Sequence, residues 1–269
     1  MKRQVHLLTI DPQCDFCLPL GPGGEKGALV VAGADQDMVR LGKFISKNKS
    51  RISEIHCTLD SHQLVHIAHP AFWTNSKGEH PTPFSLITED DVKNGVWRAY
   101  NPSWQAHAQN YVETLKKNGR YVLCIWPPHC LIGSWGHSIV PEVAKALYEW
   151  EADFNRVNFV AKGSNFGTEN YSALQAEVPD DNDSSTKINT VLLDTLQEAD
   201  DILITGEALS HCVNWTVSDI ANNFGDDNIK KFILLEDTSS SVTGFEQMGR
   251  DFVKSMLKRG MRISTTQDW

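Results

Sequence analysis

The chain has 269 residues, 41% of them hydrophobic and 22% charged, an ordinary globular composition. Its 34 acidic residues against 25 basic ones leave a net charge of −9, which argues against a nucleic acid partner, because backbone binding needs a concentrated positive surface. Mean hydropathy is −0.33, and no apolar run approaches the roughly 18 residues that span a bilayer, so no membrane partner is expected.

In chain order, the opening MKRQVHLLTID lacks the longer apolar stretch and small-residue cleavage site of a signal peptide, and a cytoplasmic protein is expected. Short apolar runs rich in β-branched residues follow at 5–10, 54–59, 121–126, 157–161, 201–205 and 231–235. Their near-continuous apolarity is that of strands covered on both faces. Helical patterns lie between them at about 35–48, 103–118, 138–150, 187–199, 211–223 and 245–259. The one at 187–199 sets Ile188, Val191, Leu192, Thr195, Leu196 and Ala199 on a helical period. The alternation predicts an α/β fold: a three-layer α-β-α sandwich around a mostly parallel six-stranded sheet, in a single domain over 1–269.

Two stretches break the alternation. Residues 74–100 are polar and contain prolines, and read as an insertion, either a lid that shapes the substrate site or a surface excursion. Residues 177–186 form an acidic loop. Six cysteines in a chain this long make no disulfide framework. Cys57 and Cys124 read as small buried hydrophobes. Cys14 and Cys17 form a CxxC, but Pro19, Pro22 and nearby glycines place it in a loop rather than at a helix start, against a redox or zinc role.

In an open parallel sheet, ligands bind beyond the carboxyl ends of the strands. The residues just past the runs are Asp11, then Asp60 and His62, then His129 and Cys130, then Lys162, then the GEALSHC turn ending at Cys212. An acid, an acid with a histidine, a histidine, a lysine and a cysteine are thereby expected at one sheet edge. Cys212 is the candidate nucleophile, at the start of helix 211–223 with Ser210 as N-cap, where the positive helix end favours thiolate. Asp11 is the candidate base, and Lys162 the charge that keeps it ionised. Asp60 and His62, two apart, point the same way if the strand continues. With His129 they suit a catalytic divalent metal: zinc, iron or manganese. His66 is a further ligand or a partner of the ligands, and His69 a weaker candidate. His56, His80, His107 and His137 read as hydrogen-bonded structural residues.

These motifs resemble those of the nicotinamidase and pyrazinamidase branch of the isochorismatase-like cysteine hydrolases. DPQCDF (11–16) is similar to the family's D-x-Q-x-D-F, and DSH (60–62) to its D-x-H. WPPHC (126–130) with Gly133 is similar to W-P-x-H-C-x-x-G, and AKG (161–163) with YSAL (171–174) to the lysine segment. GEALSHCVNWTVSDIA (206–221) resembles the cysteine segment. The resemblance implies an isochorismatase-like fold, an Asp11, Lys162 and Cys212 catalytic triad, and Asp60, His62 and His129 as ligands of a metal, zinc first, that holds the substrate's pyridine nitrogen. It implies a cis Glu207-Ala208 peptide that aims the Ala208 and Cys212 N–H groups at one oxyanion. It further implies Phe16 and Trp126 flanking the ring. Tyr171 and Gln13, in the matched segments, are further candidates at the site. The implied reaction is hydrolysis of nicotinamide to nicotinate and ammonia through a thioester, in NAD salvage, by a homo-oligomer. Three departures stand out: Glu207 where the family is apolar, the long segment between DSH and WPPHC, and SNFGTEN (164–170) after the lysine. They leave open another small amide, such as an N-carbamoyl or ureido compound. Through a charge at Glu207 beside the thiol, they also leave open a non-catalytic small-molecule-binding protein.

Overall fold

A computed structural model describes residues 3–119 and 121–269. Met1 and Lys2 of the opening segment lie outside the described residues. Six strands form one sheet: β1 (Val5–Ile10), β2 (Glu54–Asp60), β3 (Asn158–Lys162), β4 (Asp201–Gly206), β5 (Phe232–Leu235) and β6 (Arg262–Ser264). Their order is β6-β5-β4-β1-β2-β3, and every pairing is parallel. All six residues of β1 are buried, which accounts for its unbroken apolarity. Leu7 points into one core and Leu8 into the other, as strand alternation requires.

Helices cover both faces. Helix α1 (Ala34–Asn48) and α3 (Pro141–Glu151) pack Phe44, Ile45, Leu147 and Trp150 against Leu7, Ile55 and Leu203. Across the sheet, α2 (Gln105–Asn118), α4 (Thr190–Gln197), α5 (Asn214–Phe224) and α6 (Glu246–Arg259) contribute Tyr111, Leu115, Leu196, Ile220 and Phe252 to the second core. Each fully buried large side chain of this kind contributes about 1.5–3 kcal/mol relative to leaving it in water. Among the described residues, no helix is long and apolar enough to cross a membrane.

The structure corrects the sequence reading in four places. The run 121–126 is not a strand of the main sheet. Only Leu123–Cys124 is extended, and it pairs antiparallel with Leu86–Ile87. The sixth strand is instead β6, and the six-stranded sheet is parallel throughout, in keeping with the expected fold class. Segment 74–100 is not irregular: Leu86–Ile87, a helix at Glu89–Lys93 capped by Thr88, and Arg98–Ala99 paired with Trp73–Thr74 give it regular structure. It buries Ile87, Val92 and Ala99 in the second core. The 187–199 pattern is helical only over Thr190–Gln197, with Ile188 and Val191 exposed. Finally, Cys14–Cys17 is one helical turn and not a loop; all six cysteines are free and buried.

Candidate active site

Strand register brings the reactive residues together. Asp60 lies directly opposite Lys162 across β2 and β3, and Ile10 opposite Gly206 across β1 and β4. Asp11, one residue past β1, is thereby set between the two pairs. Its N–H donates to Thr58 Oγ1 (3.1 Å), and the Thr58 hydroxyl donates back to Asp11 Oδ1 (2.5 Å). Gly206 is obligatory for this approach: its φ is +108°, and a Cβ there would stand 2.0 Å from the Ile10 carbonyl oxygen.

The Lys162 ammonium is the hub. Its Nζ lies 3.0 Å from Asp11 Oδ2, 3.1 Å from Asp60 Oδ1 and 3.5 Å from Cys212 Sγ, and it donates to the Asn170 carbonyl (2.9 Å). Burial works against this charge, but Asp11 and Asp60 outweigh it and raise Lys162 well above its ordinary range. Burial likewise raises Asp11, against the pull of Lys162. The Cys212 thiol is pushed well up, by burial first and opposed by Lys162, with Asp11 adding to the rise. The direction of this shift runs against the thiolate that a helix end was expected to stabilise, and the Lys162 ammonium, which donates to the sulfur, is the group that favours it. The local backbone agrees. Cys212 sits in a π-helical turn, Leu209–Val213, ahead of α5, and Ser210 caps nothing. Its hydroxyl instead meets His211 Nδ1 (2.8 Å) and accepts from the Val242 N–H (3.1 Å).

Beside this group stands a histidine cluster. The WPPHC segment runs along the end of β2, with the His62 N–H donating to the Cys130 carbonyl (3.0 Å). Asp15 fixes it by accepting the Cys130 N–H at Oδ2 (2.6 Å). Asp60 Oδ2 lies 3.0 Å from His62 Nε2 and 3.3 Å from His129 Nε2. Burial would raise the Asp60 carboxyl, but His62 and Lys162 outweigh it and hold it well below the usual carboxylate range. Each histidine donates its Nδ1 hydrogen to a carbonyl, His62 to Gly163 (3.2 Å) and His129 to Pro127 (2.8 Å), and turns Nε2 to Asp60. Burial works against a charge on His62, but Asp60 outweighs it and raises the pKa; a metal bound there would take the place of the Nε2 hydrogen. Gly163 is needed here, since at φ +80° a Cβ would stand 2.8 Å from His62 Cε1.

His66 and His69 both lie within ligand distance of His62 but differ in what their ring nitrogens meet. His66 donates from Nε2 to the Thr168 carbonyl (3.0 Å) and accepts the Ala68 N–H at Nδ1 (3.2 Å), so neither nitrogen is available to a metal. His69 repeats the pattern of His62: Nδ1 meets the Leu64 carbonyl (3.3 Å), while Nε2 is buried without a partner. Burial, then His129 and His62, lower its pKa to about 2, so the ring is neutral. Its ring centroid is 5.2 Å from that of His62 and 5.4 Å from that of His129. Asp60, His62 and His129 each bring one buried ligand atom within 4.8 Å of the others, as do His62, His66 and His69; His62 belongs to both sets, and the first, with its carboxylate, fits a divalent metal.

A small cavity opens onto both groups, lined by Phe16, Trp126, Tyr171, His129, Glu169, His211, Ala208 and Cys212. Trp126 donates its indole N–H to the Tyr171 hydroxyl (2.8 Å), which fixes both rings. The peptide Glu207-Ala208 is cis, and the Ala208 N–H meets no acceptor among the described residues. Gln13 lies away from the cavity: it accepts the Asp60 N–H (2.8 Å) and donates to the Asp60 carbonyl (2.8 Å), and so holds the end of β2. Glu207 also points elsewhere, toward Ser240. From segment 74–100 only Phe84 approaches, against Trp126 at 5.7 Å between ring centroids. Glu169 was missed. It is 2% exposed, with Oε2 unpartnered and its carboxyl raised by burial against the opposing pull of His62. Its only sequence signal is its place in SNFGTEN, just before the matched YSAL segment.

No protein-family model matches the chain, and no curated protein matches its sequence. Solved structures do match over nearly the whole length. A yeast nicotinamidase bound to the inhibitor nicotinaldehyde is 18% identical, with a TM-score of 0.65 over 97% of this chain and 100% of its own. A Pyrococcus horikoshii pyrazinamidase in complex with zinc is 19% identical, with a TM-score of 0.55 over 97% and 99%. An isochorismatase-like hydrolase from Alkaliphilus metalliredigens is 17% identical, with a TM-score of 0.52 over 98% and 96%. The fold is isochorismatase-like. It is the fold of these nicotinamidases and pyrazinamidases, as the motif resemblance implied.

Proposed function

We propose that the protein is a cysteine amidohydrolase that converts nicotinamide to nicotinate and ammonia, with residues 1–269 acting as one hydrolase domain and 74–100 as an insertion in it. The observation that carries this reading is the contact set of buried Lys162, within 3.5 Å of Asp11, Asp60 and Cys212, the last two of which line the aromatic cavity. Asp11 takes the Cys212 hydrogen as the sulfur attacks the carboxamide carbon, and Lys162 keeps the neighbouring carboxylates compensated. The oxyanion accepts hydrogen bonds from the Ala208 and Cys212 N–H groups, a device worth about 3–4 kcal/mol per donor in other enzymes. Asp11 then gives its proton to the departing nitrogen, and ammonia leaves a thioester on Cys212. A water molecule, deprotonated by Asp11, cleaves that bond and returns the hydrogen to sulfur. Asp60, His62 and His129, with His69 beside them, would hold a divalent metal, zinc first, which when bound supplies a Lewis acid for the ring nitrogen of the substrate.

Phe16, Trp126 and Tyr171 line the site with aromatic rings, which favours a heteroaromatic amide over an aliphatic carbamoyl or ureido compound. The Glu207 carboxyl accepts from Ser240 and not from the thiol, which speaks against a non-catalytic binder. Nicotinate made in this way would feed NAD salvage. Ammonia release from nicotinamide, pyrazinamide and an N-carbamoyl amine, with and without a chelator, tests the reading. Nicotinamide is expected to be the best substrate and chelation to weaken its binding. Faster turnover of the carbamoyl compound would contradict the assignment.

Two further outcomes are expected. Because Asp11 acts ionised and its pKa is raised, kcat falls as pH drops through a value above the usual carboxylate range; a pH profile flat down to pH 4 would contradict its role as base. Elemental analysis of zinc titrations should show His69→Ala weakening binding by roughly 10-fold or more, with a smaller change for His66→Ala. Equal effects would remove His69 from the ligand set.

A further inference from the structure

The carboxyl at position 207 replaces an apolar residue of the family pattern, and it is wholly buried. Its Oε2 accepts the Ser240 N–H at 3.0 Å. Ser240 joins it to Asp37, on α1, giving its N–H to Glu207 and its hydroxyl to Asp37. The other oxygen, Oε1, receives no hydrogen from any N–H or O–H among the described residues. Asp37 is already engaged. Arg40 pairs with its Oδ1, and the Ser240 hydroxyl donates to its Oδ2 (2.6 Å). Two buried carboxyl groups thus share Arg40 as their cation, and Cys17, which faces Glu207 from the short helical turn, adds no positive charge. Two carboxylates cannot sit ionised against each other in such a place, so one of the pair holds a hydrogen. Burial and Asp37 raise Glu207 well above the usual carboxylate range, which puts that hydrogen on Glu207.

The bond from Ser240 belongs to a set. Ser239 Oγ donates to the Gly206 carbonyl (2.6 Å), the Leu209 N–H to the Ser240 carbonyl (2.7 Å), and the Val242 N–H to Ser210 Oγ (3.1 Å). Segment 239–242 is therefore laced along the turn that carries Ala208 and leads to Cys212. We propose that Glu207 is a positioning residue for the hydrolysis: its carboxyl ties Ser240, and through Ser240 also Asp37, to this turn and holds the Ala208 and Cys212 N–H groups at one point. Ionising Glu207 sets it against Asp37, loosens the turn and lowers kcat at alkaline pH. The kinetic part rests on the amidase reading above.

Glutamine can accept from Ser240 but cannot ionise; leucine can do neither. Measured against nicotinamide from neutral to alkaline pH, Glu207→Leu is expected to lower kcat about tenfold with KM little changed. Glu207→Gln recovers most of that loss and removes the alkaline decline of the wild type. A glutamine variant as impaired as the leucine one, a leucine variant with wild-type kcat, or identical alkaline limbs in wild type and Glu207→Gln would overturn the proposal. The hydrogen is also read without substrate. The wild type at neutral pH should show an infrared carboxylic-acid C=O band that is missing from Glu207→Gln, and absence of the band in the wild type would overturn the assignment. The sign in stability is fixed too. An acid with a raised folded value contributes fully below the ordinary glutamate range and loses that contribution as pH rises through the folded value, so the melting temperature of Glu207→Gln minus that of the wild type should grow with pH. A wild type that released no ammonia from any amide would refute the amidase reading, while the band and the melting temperatures would still decide the state of Glu207.

Discussion

Cys212→Ala is expected to abolish ammonia release, a fall of about 10³-fold or more, because no other sulfur reaches the reacting carbon. Among the lining residues of the cavity, Cys212 is the one cysteine. Its loss leaves Lys162 paired with Asp11 and Asp60, so no buried charge is stranded. The alanine also fills most of the volume. Melting temperature and circular dichroism should therefore match the wild type, and the variant should still bind nicotinamide. Retained turnover would remove Cys212 from the chemistry. Loss of turnover together with loss of folding would point to a packing role.

Lys162→Met carries the second large effect, and on two readouts. Methionine keeps the length of the side chain but strands Asp11 and Asp60, both buried, against each other. Removing one partner of a buried ion pair typically costs about 3–5 kcal/mol. Urea unfolding at neutral pH should show a loss of that size, together with at least a hundredfold fall in kcat. The stranded carboxyls then take up protons on folding, so the deficit should shrink as pH falls. Adding Asp11→Asn should restore part of the stability and none of the activity. A variant with wild-type stability at neutral pH would mean that the ammonium is not the partner of these two acids.

Asp11, Asp60, Lys162 and Cys212 were legible because each follows an apolar run, and parallel strands deliver their carboxyl ends to one edge. The register of Asp60 with Lys162 then gives the contact that spacing alone could only suggest. Strand identity was less legible. The run 121–126 has the composition of a buried strand, yet it pairs with Leu86–Ile87 from a segment whose polarity hid its two short ladders. The place it was expected to fill is taken by Arg262–Ser264, too short and too polar to stand out. The difference between His66 and His69 could not be read from spacing either. It depends on which ring nitrogens the loop carbonyls of Leu64 and Thr168 engage, a property of folded backbone. Glu169 looks in sequence like any surface acid, and only its burial beside His62 marks it out. At position 207 the sequence showed the departure from the family pattern but not its direction. The carboxyl engages Ser240, which joins it to Asp37, and not the sulfur it was expected to perturb.

The most direct measurement is rapid acid quenching of the protein during turnover of nicotinamide, followed by mass spectrometry of its peptides. A pyridine-carbonyl adduct on the peptide containing Cys212, formed within one turnover and missing from an Asp11→Asn variant, is the predicted result. Turnover at full rate with no adduct, or an adduct on Cys14, Cys17 or Cys130, would contradict the account.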